Sequence, residues 1–216
     1  MRSSSWTFDS KEVAEKFDEH VREQLPWYDM LTDAVVYITR NYLTEGNQVV
    51  DIGASTGNLS KKLLPLANER KGRVLAIEKS LQMCNNMKDM EDVRVMYADI
   101  TNIDIPEAQV YILFLTMMFI PVDKREKLLE DIFEKAKEGG CVIIVDKINH
   151  SGYFGTVMKR LTWNWKIQQG SIAEDIVNKE MSLAGVQIPI NQDLLLSAQA
   201  QEFFRMGEFA GWVIEC

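Results

Sequence analysis

Apolar positions along the chain change period several times, and each change marks an element. Val13, Phe17, His20-Val21 and Leu25 recur at helical intervals, and Asp9 followed by Glu12 has the spacing of a capping box, so the chain should open on a helix. Pro26 interrupts it, and a second helix is predicted from about Tyr28 to Tyr42, ending before the turn Glu45-Gly46-Asn47. Gln48-Val49-Val50-Asp51-Ile52-Gly53 is a short apolar run ended by glycine, the pattern of a buried strand. A helix from Asn58 to Asn68 should turn Leu59, Leu63, Leu64 and Leu66 inward, with Pro65 distorting its last turn. The alternation continues with a strand at 73–78, a helix at 80–88 and a strand at 93–97. Val110 to Leu115 is apolar at every position, which predicts a strand covered on both faces. An amphipathic helix from Asp123 to Lys137, closed by Gly139-Gly140, leads to a fifth strand from Cys141 to Asp146. Strands and helices in this rhythm imply a doubly wound α/β fold whose sheet is mostly parallel, with right-handed crossovers.

After Lys147 the rhythm breaks. Residues 150–190 form a helical insertion rich in aromatics and charge, placed to act as a lid. Trp163 and Trp165, two apart, should face opposite sides of its first helix, one of them toward the core. The chain closes with a helix near Asp193–Glu202 and an antiparallel hairpin from Phe203–Met206 and Gly211–Glu215. With residues 1–45 as a helical cap, and neither repeat nor linker, positions 1–216 are expected to form one domain.

Composition narrows the classes of function. A net charge of −8 argues against bulk nucleic-acid binding, which relies on cations to neutralise phosphates. Cys84, Cys141 and Cys216 are scattered and odd in number, as expected of reduced thiols in the cytoplasm. No run approaches the ~18–20 apolar residues of a membrane helix, so no membrane association is expected. Two unspaced histidines, His20 and His150, give no basis for a metal site. Lys124, Arg125 and Lys127 look like a solvated helix face, and Met117-Met118-Phe119 like core.

The candidate chemistry lies in the loop after the first strand. Asp51 followed by Gly53, Ala54, Ser55 and Gly57 and then a helix brings bare backbone up to a ligand, where a Cβ would collide with the bound molecule. The spacing departs from the dinucleotide fingerprint G-x-G-x-x-G, which disfavours a nicotinamide enzyme. Glu78 ends the second strand, where a carboxylate can accept both hydroxyls of a ribose. Asp99 follows the third, where a carboxylate can accept the exocyclic amine of an adenine. Together they outline an adenosine pocket at the switch point of the sheet.

With these residues in place, the chain resembles the Rossmann-like class I S-adenosylmethionine-dependent methyltransferases: VVDIGASTGNLS, RVLAIEKS, YADI and LFLTMMFIP look like their first four motifs. A nearer resemblance runs along almost the whole chain. Trp6-Thr7-Phe8-Asp9, Val13-Ala14-Glu15-Lys16-Phe17, Leu25-Pro26-Trp27-Tyr28, Phe119-Ile120-Pro121, Gly139-Gly140, Asp146-Lys147 and Phe209-Ala210-Gly211 are similar to the carboxy-S-adenosylmethionine synthase family. Those enzymes use prephenate to add a carboxylate to the methyl of S-adenosylmethionine, for a tRNA wobble modification. The resemblance implies S-adenosylmethionine as cofactor, with contacts from Tyr28, Gly53, Ala54, Ser55, Glu78, Lys79, Asp99 and Ile100, and it implies a homodimer.

Two positions depart from that family. Its asparagine in the fourth strand falls on Phe114, and its carboxylate-binding arginine falls on Glu180, one residue after the matching Lys179. Arginine makes two charge-assisted bonds to a carboxylate, whereas glutamate repels one. The expectation is therefore methyl transfer to an unidentified acceptor, a small molecule or a tRNA or nucleotide. Carboxy-S-adenosylmethionine synthesis and non-catalytic cofactor binding are the alternatives. Glu180 and Tyr28 are the candidates for a catalytic contact, Glu180 by pairing with a cationic acceptor or taking its proton, or else merely by pairing with a nearby lysine.

Overall fold

The computed structural model describes residues 10–216, so the expected capping box at Asp9 and the run Trp6–Asp9 lie outside the described residues. The first helix, α1 (Lys11–Gln24), is capped by Ser10, whose hydroxyl accepts from the Val13 N–H at 3.4 Å. Helix α2 (Tyr28–Tyr42) follows, and then β1 (Gln48–Ile52), α3 (Asn58–Glu69), β2 (Arg73–Glu78), α4 (Leu81–Asn86) and β3 (Val93–Tyr97). The second half holds β4 (Ala108–Phe114), α5 (Val122–Lys135), β5 (Ala136–Lys147), α6 (Gly152–Gln168), α7 (Ala173–Ser182), α8 (Gln192–Ser197), β6 (Gln201–Met206) and β7 (Phe209–Glu215).

All seven strands join one sheet in the order β3-β2-β1-β4-β5-β7-β6. The four pairings from β3 to β5 are all parallel, and β7 runs antiparallel to both β5 and β6. The chain winds outward from β1 to β3, then crosses back to lay β4 against the other side of β1. That reversal is the switch point, where two carboxyl strand ends diverge and leave a crevice. The central strands are mostly apolar because both faces are covered: Val49, Val110, Ile112 and Ile143 pack into the cluster with α2 and α3, while Val50, Tyr111, Leu113 and Ile144 pack into the one with α5.

Several elements differ from expectation at their ends. The helix expected to run to Lys137 stops at Lys135, and Gly139-Gly140 falls inside β5, where Gly139 has φ +73° and its N–H bonds to the Cys216 carbonyl at 2.8 Å. A Cβ on Gly140 would sit 2.1 Å from the Gln109 carbonyl oxygen, so close strand approach requires glycine there. Helix α3 passes through Pro65 to Glu69, and Leu64 is only half-buried. The last helix ends at Ser197 rather than near Glu202, because Gln199 takes φ +56° and β6 starts at Gln201. Neither tryptophan of α6 reaches the core: no side chain of α6 is buried, and Trp163 instead lies under the Lys159 ammonium, 5.2 Å from its ring centre.

The lid consists of α6 and α7 and returns to the sheet at Ile190, which bonds to Lys147 at 2.8 Å and accepts from Asn149 at 3.1 Å. Its anchorage corrects the reading of Arg125. That side chain is buried in α5, and its guanidinium donates to the carbonyls of Ile120 (3.0 Å), Met118 (3.4 Å), Ile188 (2.7 Å) and Pro189 (3.2 Å). Helical spacing gave Arg125 no signal of burial, since its acceptors are carbonyls of the loop just before α5 and of the remote loop at Ile188–Pro189.

Candidate functional site

A cavity of about 200 Å³ runs along the carboxyl ends of the parallel strands, beneath α1 and the lid. Of the residues expected to contact a cofactor, Tyr28, Asp51, Gly53, Ala54, Ser55, Glu78, Lys79, Asp99, Ile100 and Phe114 border it. Gly57 does not. It adopts φ +84° just ahead of α3, and a Cβ there would meet Met87 at 2.7 Å, so packing and a left-handed backbone require that glycine. Gly53 borders the cavity at φ +73°, yet the atom a Cβ would strike is the Thr116 hydroxyl at 2.5 Å. Thr116, which donates to the Ile52 carbonyl at 2.8 Å, thus locks the glycine loop from the fourth strand's side. The protein itself, rather than a ligand, excludes the side chain at both glycines.

Glu78 is held more firmly than a loop carboxylate. It is buried at the end of β2, with one oxygen accepting the Ser55 N–H and the other the Ser80 N–H, both at 2.8 Å. Each oxygen keeps a lone pair for a further donor in the cavity. Burial opposes ionisation of Asp99, but the Thr101 N–H and hydroxyl, both at 2.9 Å on one oxygen, outweigh it and hold its carboxyl below the usual range. Its second oxygen receives no bond from Thr101. Between these carboxylates and the lid the walls are apolar: Tyr28 meets the Phe114 ring edge-on at 5.5 Å, and burial pushes its phenol up to about 12.

Two carboxyls beneath the site are buried against their own ionisation. Burial raises Asp51 to about 6 despite a 2.6 Å bond from the Ser60 hydroxyl. Burial raises Asp146 to about 7 although the Lys147 N–H (2.7 Å) and Met118 N–H (3.2 Å) donate to it. The unfolded chain releases these protons near the ordinary value of 3.8, while the folded chain keeps them to about 6 and 7. Stability from these groups is therefore fully present below about pH 4 and is lost as pH rises toward 7. Thermal melts of wild type and Asp146→Asn across pH 4–8 should show the steeper decline in wild type; parallel curves would rule out the raised Asp146.

At the far end of the cavity sits a charged group that sequence spacing does not reveal. Lys147 ends β5 and is buried; its ammonium lies 4.0 Å from Glu180, 3.8 Å from Glu208 and 3.4 Å from the Gln187 side-chain oxygen. Lys159 reaches the other Glu180 oxygen at 3.5 Å. Glu180 therefore pairs with two lysines. Lys166 and Lys179 also border the cavity, and the Lys179 ammonium contacts the His20 ring nitrogen at 2.6 Å. Burial, then Lys166 and Lys147, lowers Lys179 to about 8; burial, then Lys179 and Lys166, lowers His20 to about 4. Four ammoniums thus face two carboxylates, so Glu180 stands in cationic surroundings instead of presenting a bare negative charge. Only the position of Lys147 at a carboxyl strand end could have marked it in advance; His20, Lys166 and Gln187 carry no such signal.

Comparison with known proteins shows what the chain as a whole resembles. Residues 49–140 match the family described as "Methyltransferase domain". The chain is 28% identical to carboxy-S-adenosyl-L-methionine synthase of Staphylococcus epidermidis, with 95% of each chain covered. It is 26% identical to the enzyme of that name from Nautilia profundicola, over 94% of this chain and 92% of the other. Among solved structures, the DhpI–SAH complex superposes with a TM-score of 0.63 at 16% identity, covering 94% of this chain and 91% of that one.

Proposed function

We propose that this chain, which carries a methyltransferase domain of the class I S-adenosylmethionine-dependent fold, binds that cofactor along the carboxyl edge of its sheet and transfers the methyl group to a small acceptor beneath the lid. The observation that carries the reading is Glu78, a buried carboxylate fixed by two backbone N–H groups and facing a cavity at the switch point. A ribose with two adjacent hydroxyls fits that acceptor, and the second Asp99 oxygen fits an adenine amine. Gly53 and Ala54 present backbone beside them, and Ile100, Phe114 and Tyr28 supply the apolar walls.

The cofactor supplies an activated methyl whose bond to sulfur breaks as the bond to the acceptor forms, the electron pair returning to sulfur. The protein's part is alignment and exclusion of water. Tyr28 and Phe114 wall the cavity above the sheet, while Thr162 and Lys166 of the lid, with Leu183 just after α7, cover it. Lys166 and Lys179 border the same cavity, where the cofactor's own α-carboxylate is an anion available to them.

A second reading, carboxy-S-adenosylmethionine synthesis, is favoured by likeness to enzymes of that name over nearly the full chain. It must manage with lysines around Glu180 where that family's pattern has arginine. Incubation with methyl-labelled S-adenosylmethionine, with and without prephenate, separates the two when the sulfonium products are weighed by mass spectrometry. Methyl transfer predicts label in an acceptor from cell extract and no gain of mass on the sulfonium. A sulfonium heavier by a carboxylate replaces the first reading with the second.

A further inference from the structure

Two cavities meet under the lid. Beside the cofactor cavity lies another of about 540 Å³, bordered by Asn149, His150, Thr156, Lys159 and Glu208. Lys147, Glu180, Leu183 and Gln187 border both, so these four side chains are the wall between them. The wall is held by contacts of 3.4–4.0 Å centred on the Lys147 ammonium, longer than the ~2.7–2.9 Å of a tight charge-assisted bond. It is a partition of side chains, with Leu183 and Gln187 from the segment that follows α7.

Its place along the sheet gives it a role. Glu78 stands at the end of β2 and Lys147 at the end of β5, three strand spacings apart, or about 14 Å at ~4.8 Å each. A nucleoside anchored at Glu78 and Asp99 therefore extends its sulfur toward β4 and β5, which brings the transferable group up to the partition. On the far side Lys147 and Lys159 are matched by Glu180 and Glu208, while Lys166 and Lys179 border only the cofactor cavity. A charged acceptor would upset that match, whereas Asn149, Thr156 and Gln187 offer hydrogen bonds to a neutral one.

We propose that the second cavity is the acceptor chamber, suited to a small uncharged molecule with hydrogen-bonding groups, and that Glu180, held by Lys147 and Lys159, is the specificity-determining side chain limiting the group carried on sulfur. The inference rests on the cofactor reading above. Calorimetry with S-adenosylmethionine and its S-allyl analogue tests it on wild type, Glu180→Gln, Glu180→Ala and Gln187→Ala. Wild type and the near-isosteric Glu180→Gln should bind the allyl compound at least tenfold more weakly than the methyl compound. Glu180→Ala, and to a smaller degree Gln187→Ala, should shrink that ratio to about two by joining the cavities. An unchanged ratio in both alanine variants, with S-adenosylmethionine still bound, overturns the partition and leaves the cofactor reading standing. Failure of wild type to bind either compound overturns both.

Discussion

Glu78→Ala should weaken binding of S-adenosylhomocysteine at least 100-fold while leaving the fold intact. Hydrogen bonds to a charged group contribute about 1.5–3 kcal/mol each, and a ribose offers two donors. Losing about 2.7 kcal/mol is enough for a factor of 100. The substitution also releases the Ser55 and Ser80 N–H groups that now share the carboxylate, so the glycine loop loses its tie to β2. Glu78→Gln should fall between: its amide oxygen can keep one N–H, but its NH2 then points at the other donor. Calorimetry reads the affinity, and circular dichroism checks that the sheet has formed. Affinity within threefold of wild type in a folded Glu78→Ala protein would remove the carboxylate from the site.

The largest stability change is expected at Arg125. Arg125→Ala deletes a buried guanidinium from four carbonyls and takes its charge away from Asp146. Breaking such a buried arrangement by removing one member costs about 3–5 kcal/mol. For a chain of this length each kcal/mol lowers Tm by about 2–4 °C, so a fall of roughly 10 °C is expected. Lysine keeps the charge but has no planar fork to reach carbonyls on both loops, so Arg125→Lys should recover less than half of the loss. Amide exchange should quicken around Met118 and Ile188–Ile190, because the Ile188 N–H bonds to the Met118 carbonyl that Arg125 also holds. A Tm within 2 °C of wild type would mean that the two loops are secured without the guanidinium.

Much of the fold was legible because its signals are local. The switch from helical period to apolar runs located β1, β2 and β4, since a strand covered on both faces has few polar positions to spend. Helix α2 begins and ends at the residues read from its pattern, between Pro26 and the turn at Gly46. Boundaries failed where a distant partner decides them. Gly139 and Gly140 read as a helix stop, but β4 and the C-terminus draw them into β5.

The site divides along the same line. Glycines and acids that follow strands, Gly53, Glu78 and Asp99, stood out in the sequence because strand ends converge on one edge of a parallel sheet whatever the side chains do. Their reasons were another matter: Thr116 demands Gly53 and Met87 demands Gly57, each from an element remote in the chain. The amino-acid order by itself determined a doubly wound sheet with an acidic, glycine-bearing edge. Only tertiary structure decided that Arg125 is an internal clip, that Glu180 is embraced by lysines, and that His20 meets Lys179 across 159 positions of chain. Periodicity records which way a residue faces, and the partner it finds there depends on how separate elements pack.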